Sequence, residues 1–217
     1  LVNDVNKVLA IAKSFDDKHL ILKLTITRGV GGRGYQIDPD AKATLMLQLF
    51  ACSTDLTKHN GVSVHVCRET LSPISWAGLK TLNQLPYVLA ASERLNTNFD
   101  EGSLLANNGE LVEASARNVF IVKDDKILTP LLNEFGVAGV QRQFIIESVA
   151  QQLGLDIVEI TIKLEDLFAA DEVFLANSIT GLWPVTHCRY KEHDYRWDVG
   201  AVTRSLQAMC HSVSFDE

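Results

Sequence analysis

The chain has 217 residues, enough for one large domain or two small ones. Hydrophobic residues make up 47% and charged residues 22%, ordinary for a globular protein, and no apolar run is long enough to cross a bilayer. With 20 Lys and Arg against 27 Asp and Glu the net charge is -7, which argues against nucleic acid as the main partner and leaves room for a local basic pocket that holds a small anion.

Leu1 opens directly into LVNDVNKVLAIAKSF, where Val2, Val5, Val8 and Leu9 recur at helical spacing. A start inside a helix, without Met, reads as though a segment precedes it. No signal peptide is visible. Strands are predicted at LILKLTIT from Leu20, at TLMLQLFAC from Thr44 and at GVSVHVCRE from Gly61. These three read as an antiparallel meander. A helix follows in LNQLPYVLAASERL, with Asn83 as its cap, Pro86 in its first turn, and Leu85, Val88, Leu89, Ser92 and Leu95 along one face.

Two hairpins come next. One turns at Asn108-Gly109, a type I′ signal, and one at Asp124-Asp125. The run EFGVAGVQRQFIIESVAQQLG passes from a glycine loop into a helix with Phe144, Ile145, Ser148, Val149 and Leu153 buried and Gly154 ending it. LDIVEITI and EVFLAN are strands around a short helix at KLEDLF, and an amphipathic helix occupies the tail after Trp197. Strict βαβ alternation is absent, so the expected class is α+β with a mixed, barrel-like sheet. Residues 1 to about 55 are expected to belong to a smaller domain and residues 56–217 to the main one.

The motifs each carry two readings. Gly29, Gly31 and Gly34 satisfy GxGxxG, but a strand follows rather than a helix, so a hairpin loop is favoured over a dinucleotide site. Arg28 and Arg33 in that loop are either solvated or a carboxylate clamp. Lys80 stands among Trp76, Ala77, Gly78, Leu79 and Leu82; apolar surroundings would lower its pKa and favour the nucleophilic neutral amine. Glu113, at the end of GELVE, either decorates a turn or points into a cleft to hold a ring-nitrogen proton. GVAGVQRQ is either a plain loop-to-helix junction or a phosphate site of free N–H groups at a helix start. Asn177, Ser178 and Thr180 either contact a ligand or cap a turn. The four cysteines, Cys52, Cys67, Cys188 and Cys210, include no CxxC pair, so neither disulfides nor zinc are expected, and reduced thiols suit a cytoplasmic protein.

A lysine, a carboxylate 33 residues later and then a phosphate-type loop form an ordered set. Through LKTLN, NGELVEASARNVF, TPLLNEFGVAGVQRQ and ADEVFLANSITGLWPV the sequence resembles the fold-type IV pyridoxal-phosphate enzymes, also called class IV aminotransferases, from about Leu20 to the end. TRGVGGRGY, GLKTLN and GVAGVQRQF are closest to the aminodeoxychorismate lyase branch. The aminotransferase pattern E-G-[ST]-x-x-N is not kept, since Glu113 is followed by Ala114, Ser115, Ala116, Arg117 and Asn118.

The resemblance implies a small N-terminal α/β domain, truncated here, and a larger mixed α/β barrel. It implies that Lys80 carries pyridoxal 5′-phosphate as a Schiff base and moves protons. Glu113 pairs with the pyridinium nitrogen. Backbone N–H groups of Val140 and Gln141 hold the phosphate, with Ser178 and Asn177 beside it. Arg33 and Tyr35 match the position where relatives bind the substrate carboxylate, and the small-domain arginine that relatives place on the phosphate has no match here. The implied reaction is β-elimination from aminodeoxychorismate to 4-aminobenzoate and pyruvate, a branch of folate synthesis, in a homodimer. An aminotransferase for D-amino or branched-chain acids is the near alternative. A non-enzymatic module whose glycine loops bind anions is the distant one.

Overall fold

A computed structural model describes residues 1–13, 15, 19–52 and 55–214, with the side chains of residues 96 and 211–214 left out. The chain divides into two compact units, Leu1–Asp55 and Leu56–Glu217. The first unit holds α1 (Val2–Ala12) and the strands β1 (Leu20–Thr27) and β2 (Thr44–Ala51), paired antiparallel from Leu20↔Ala51 to Thr27↔Thr44. The glycine-rich loop between them leads to no helix, which removes the dinucleotide reading. Gly29 is obligatory there: its φ is +97°, and a Cβ would fall 1.8 Å from the Lys42 carbonyl oxygen.

The second unit is built on strands β3 (Val62–Leu71), β4 (Glu101–Ala106), β5 (Glu110–Ala114), β6 (Arg117–Lys123), β7 (Lys126–Pro130), β8 (Ile157–Ile160), β9 (Ile162–Lys163), β10 (Glu172–Asn177), β11 (Gly181–Tyr190) and β12 (His193–Arg196). Six of them close on themselves in the order β6-β10-β11-β3-β4-β5 and back to β6. The ring is mixed: β3 pairs parallel with both β11 and β4, and the other pairs are antiparallel. The predicted meander of the first three strands is therefore corrected. β3 leaves the β1–β2 pair and joins the barrel, where its inward positions Val62 and Val64 are buried on partners far along the chain.

Alternate residues of the barrel wall serve two cores, as the two-residue period of a strand requires. Val119, Ile121, Val173 and Leu175 join Val62, Val64 and Leu111 in one cluster. Phe120 and Phe174, stacked at 4.8 Å, join Val122 and Ala176 in another. That second cluster is covered by a continuous helical run over residues 140–153 and by α6 (Ala201–Ser214). The run comprises α3 (Val140–Phe144), a π turn at Ile145–Val149 and α4 (Ala150–Leu153), and it ends at Gly154 with φ +67° as expected. The short α5 is Leu164–Phe168.

Two local expectations fail. Helix α2 (Leu85–Ser92) buries Ala90, whose small side chain lets it approach the cluster of Cys67, Leu71 and Leu104, while Leu85 and Val88 stay 66% and 61% exposed. Its N-cap is Gln84 rather than Asn83. At the first hairpin only Gly109 has positive φ (+89°), so the turn is not type I′. It is closed by the Gly109 N–H on the Ala106 carbonyl, with a register shift at Leu104/Leu105.

The start of α6 rests on one buried acid. Glu172 accepts hydrogen bonds from the Val202 N–H (3.1 Å), the Thr203 N–H (2.8 Å) and the Thr203 hydroxyl (2.6 Å). Gly200 is needed for that approach, because a Cβ there would meet Glu172 Oε1 at 1.9 Å. Glu172→Ala is expected to lower the unfolding free energy by roughly 2–3 kcal/mol, the cost of orphaning buried donors of a charged acceptor. Denaturant unfolding followed by circular dichroism measures it; an unchanged midpoint would show that the cap is dispensable.

Candidate functional site

The wall of the barrel contains a carboxylate that should not be there on solvation grounds alone. Glu113, in β5, is only 3% exposed. It survives because every hydrogen-bond partner it has is a donor. The Tyr87 hydroxyl, from α2, donates to Oε1. The Val137 N–H donates to the same oxygen at 3.0 Å. The Asn118 amide, from β6, donates to Oε2 at 3.0 Å and to the Val137 carbonyl at 2.8 Å. Burial pushes the carboxyl up from 4.5 to about 7; the Tyr87 hydroxyl, the Val137 N–H and the charges of Lys80 and Arg142 pull the other way. Near neutral pH the group is poised between its two forms, and a cationic N–H is the partner its surroundings favour.

The Lys80 segment is fastened to the same place. The Ile74 N–H donates to the Glu134 carbonyl (2.9 Å), the Gly78 N–H to the Gly136 carbonyl (2.9 Å) and the Ala138 N–H to the Gly78 carbonyl (2.9 Å). Residues 74–78 thus run alongside 134–138, with a parallel bridge at Gly78↔Val137. Lys80 leaves this seam two residues later and is exposed. The apolar shelter expected for it is absent within the unit, since Leu79 and Leu82 also face outwards.

The same seam runs into the helix over 140–153. Gly139 precedes it in extended conformation, and the first helical bond is from the Gln143 N–H to the Gly139 carbonyl at 3.0 Å. The N–H groups of Val140, Gln141 and Arg142 therefore have no acceptor within the helix and sit at its positive end. Gly139 is fixed in identity, because a Cβ would lie 2.3 Å from Asn118 Oδ1. The buried Arg142 anchors the turn, donating to the Pro130 carbonyl (3.0 Å) and to Glu159 Oε2 (2.5 Å).

Ser178 lies exposed in the turn between β10 and β11. Asn177 caps the turn in which it stands. Its Oδ1 accepts from the Ile179 N–H (3.1 Å), the Thr180 N–H (2.9 Å) and the Thr180 hydroxyl (3.0 Å), and its amide donates to the Ala116 carbonyl (3.1 Å). Thr180 is held in turn by the buried guanidinium of Arg117. Arg117 lies 3.4 Å above the Trp183 ring and 3.5 Å from Glu101, and burial lowers its pKa to about 10.

The structure thus pairs the Lys80 segment with the 134–138 loop through backbone hydrogen bonds and ties the Glu113 side chain to the same loop through the Val137 N–H. Arg33 and Tyr35 belong to the first unit, where both are exposed in the β1–β2 loop. Sequence reasoning missed Tyr87, Asn118, Arg142 and the Arg117–Trp183–Glu101 group. The one available signal was the five-residue spacing from Glu113 to Asn118 across a tight hairpin. Cys52, Cys67 and Cys188 are free thiols. Among the described residues His65, Cys67 and Glu93 bring potential metal-ligand atoms within 4.8 Å of one another. Glu93 there also accepts the N–H groups of Arg68 and Glu69.

A family model described as amino-transferase class IV matches residues 1–188. An aminodeoxychorismate lyase of Vibrio harveyi is 33% identical over 202 residues, 91% of this chain and 74% of that protein. The crystal structure of 4-amino-4-deoxychorismate lyase from Pseudomonas aeruginosa superposes with a TM-score of 0.83 at 34% identity, covering 89% of this chain and 72% of that one. The branched-chain-amino-acid aminotransferase of Escherichia coli is 34% identical over 103 residues, 48% of this chain and 33% of that protein.

A carboxyl raised in the folded state binds its proton more tightly there than when unfolded. Its stabilising effect is complete below pH 4.5 and is lost as pH rises through about 7. A shift of that size corresponds to roughly 3 kcal/mol. The cofactor-free protein should lose about that much more unfolding free energy between pH 4.5 and 7.5 than Glu113→Gln does, by denaturant titration at each pH. Parallel pH profiles for the two proteins would mean that Glu113 is not the strained acid.

Proposed function

Because the chain belongs to the class IV aminotransferase family, we propose that it acts as a pyridoxal-phosphate lyase on 4-amino-4-deoxychorismate. Residues 56–217 are the cofactor-binding domain and residues 1–55 belong to a smaller one. The observation that carries this reading is the buried, donor-ringed Glu113, whose side chain accepts from the Val137 N–H of the loop that is paired through its backbone with the Lys80 segment and leads into the 140–153 helix. A cationic ring nitrogen, an aldehyde and a phosphate on one small molecule fit that trio of groups. The lyases of Vibrio harveyi and Pseudomonas aeruginosa are 33% and 34% identical over 91% and 89% of this chain, against 29% over 86% for a putative branched-chain-amino-acid aminotransferase of Methanocaldococcus jannaschii, which favours the lyase.

Bound here, pyridoxal phosphate supplies a protonated ring that draws electrons from the carbon bearing the substrate nitrogen. Lys80 anchors it covalently through Nζ. With the cofactor held there, the Lys80 amine would take the proton from the amine-bearing carbon while the C–O bond at the neighbouring carbon breaks, and the released enolpyruvate would tautomerise to pyruvate. Glu113 keeps the ring nitrogen protonated. The N–H groups of Val140 and Gln141 bind the phosphate, assisted by the Ser178 hydroxyl, while Asn177 holds the turn that presents Ser178. Arg33 and Tyr35 bind the substrate carboxylate. The products are 4-aminobenzoate and pyruvate, and the working form is a cytoplasmic homodimer.

The full-length protein loaded with pyridoxal phosphate is expected to form 4-aminobenzoate from aminodeoxychorismate. Lys80→Ala should lower the rate by at least roughly a thousandfold. Borohydride treatment of the loaded wild type should leave the cofactor's mass on the peptide containing Lys80. Oxo acid from leucine or D-alanine, with no 4-aminobenzoate, would move the protein to the aminotransferases. No product and no labelled lysine would leave only an anion-binding module.

A further inference from the structure

The Tyr87 hydroxyl has no place in the reaction just described, yet it reaches the most strained acid in the barrel. It stands on α2, seven residues after Lys80, and donates to Glu113 Oε1. We propose that Tyr87 is a positioning residue that holds Glu113 ionised and in one rotamer, so that Oε2 is the oxygen offered to a cofactor ring nitrogen. The inference rests on the proposed cofactor role of Glu113 only for its last clause.

Three observations carry it. First, the two oxygens are used unequally: Oε1 accepts from Tyr87 and from the Val137 N–H, whereas Oε2 accepts from Asn118 alone. A carboxylate has about four acceptor positions, so Oε2 is the oxygen with one to spare. Second, the donors other than Tyr87 cannot release or rotate the carboxylate. Val137 is locked by the Gly78 bridge, and Asn118 is tied to the Val137 carbonyl. Tyr87 is thus the adjustable member, on a different element from the other two. Third, Tyr87 remains a donor throughout the working range, because burial and the neighbouring carboxylate push its own pKa up. The charges bearing on Glu113 are Lys80 and Arg142, and both favour the ionised form in the same direction as Tyr87.

The test is a carbon-13 NMR titration of the Glu113 side-chain carboxyl in the cofactor-free protein, with the resonance assigned by its loss in Glu113→Gln. Tyr87→Phe keeps the ring and removes the donor. Its Glu113 midpoint is expected to rise by about one pH unit, a tenfold change in proton affinity. Placing 3-fluorotyrosine at position 87 makes the hydroxyl a stronger donor and should move the midpoint down. In the loaded protein Tyr87→Phe should weaken pyridoxal-phosphate retention by roughly tenfold at pH 8 and shift the pH at which the bound cofactor's absorbance changes. Opposite shifts for the two variants support the proposal. An unchanged midpoint in Tyr87→Phe, or shifts of the same sign in both, overturns it; should Tyr87→Phe fail to fold, the fluorotyrosine protein alone decides by the direction of its shift. The titration needs neither cofactor nor substrate, so a failure to make 4-aminobenzoate would count against the proposed function and not against Tyr87.

Discussion

A carboxylate taken out of water loses far more solvation than any single hydrogen bond returns. Glu113 is tolerable only because three separate pieces of chain bring it a donor each: α2 through Tyr87, β6 through Asn118 and the 136–139 loop through the Val137 N–H. That demand fixes much else. Val137 must run close to β5, which leaves no room for a side chain at Gly136, where a Cβ would lie 2.9 Å from Val112 and 3.2 Å from Glu113 Oε1. Asn118 must stand against residue 139, which makes Gly139 obligatory. The loop so placed is the one that opens the 140–153 helix. The position of the free N–H groups of that helix is therefore a consequence of satisfying the acid.

A second buried network solves the same problem for the turn that carries Ser178. Arg117 is sandwiched between Trp183 and Glu101 and reaches Thr180, which with Asn177 sets the turn. Arg117 and Asn118 are adjacent on β6, so their side chains leave opposite faces of the strand. One face supports the β10–β11 turn and the other supports Glu113. Two sides of the candidate site are thus built from a single dipeptide.

Sequence periodicity located most strands and the 140–153 helix because those elements bury one face, and burial is what a hydrophobic pattern records. It misassigned β3, since an alternating strand does not say which strand lies beside it; the partners β11 and β4 are set by barrel closure. It misread α2 for a related reason. A stripe of Leu85, Val88 and Leu89 resembles a buried face, yet the face toward the barrel is chosen by the small Ala90 and by the Tyr87–Glu113 bond. The order of Lys80, Glu113 and the glycine loop was legible through family resemblance. The seam that joins them was not, because it is made of backbone hydrogen bonds that any residue types can form.

The scaffold fixes which chemistry is available without fixing which substrate uses it. A buried acid poised between its two forms and an exposed lysine that follows the same seam are compatible with elimination and with amino transfer alike. What separates the two reactions is how the substrate is held, and a leaving group has to stand beside the carbon that loses its proton. The side chains around Glu113 are largely engaged with one another, whereas Arg33 and Tyr35 of the first unit are exposed. This chain is similar to lyases and aminotransferases alike, as expected of a scaffold that leaves the choice of substrate open.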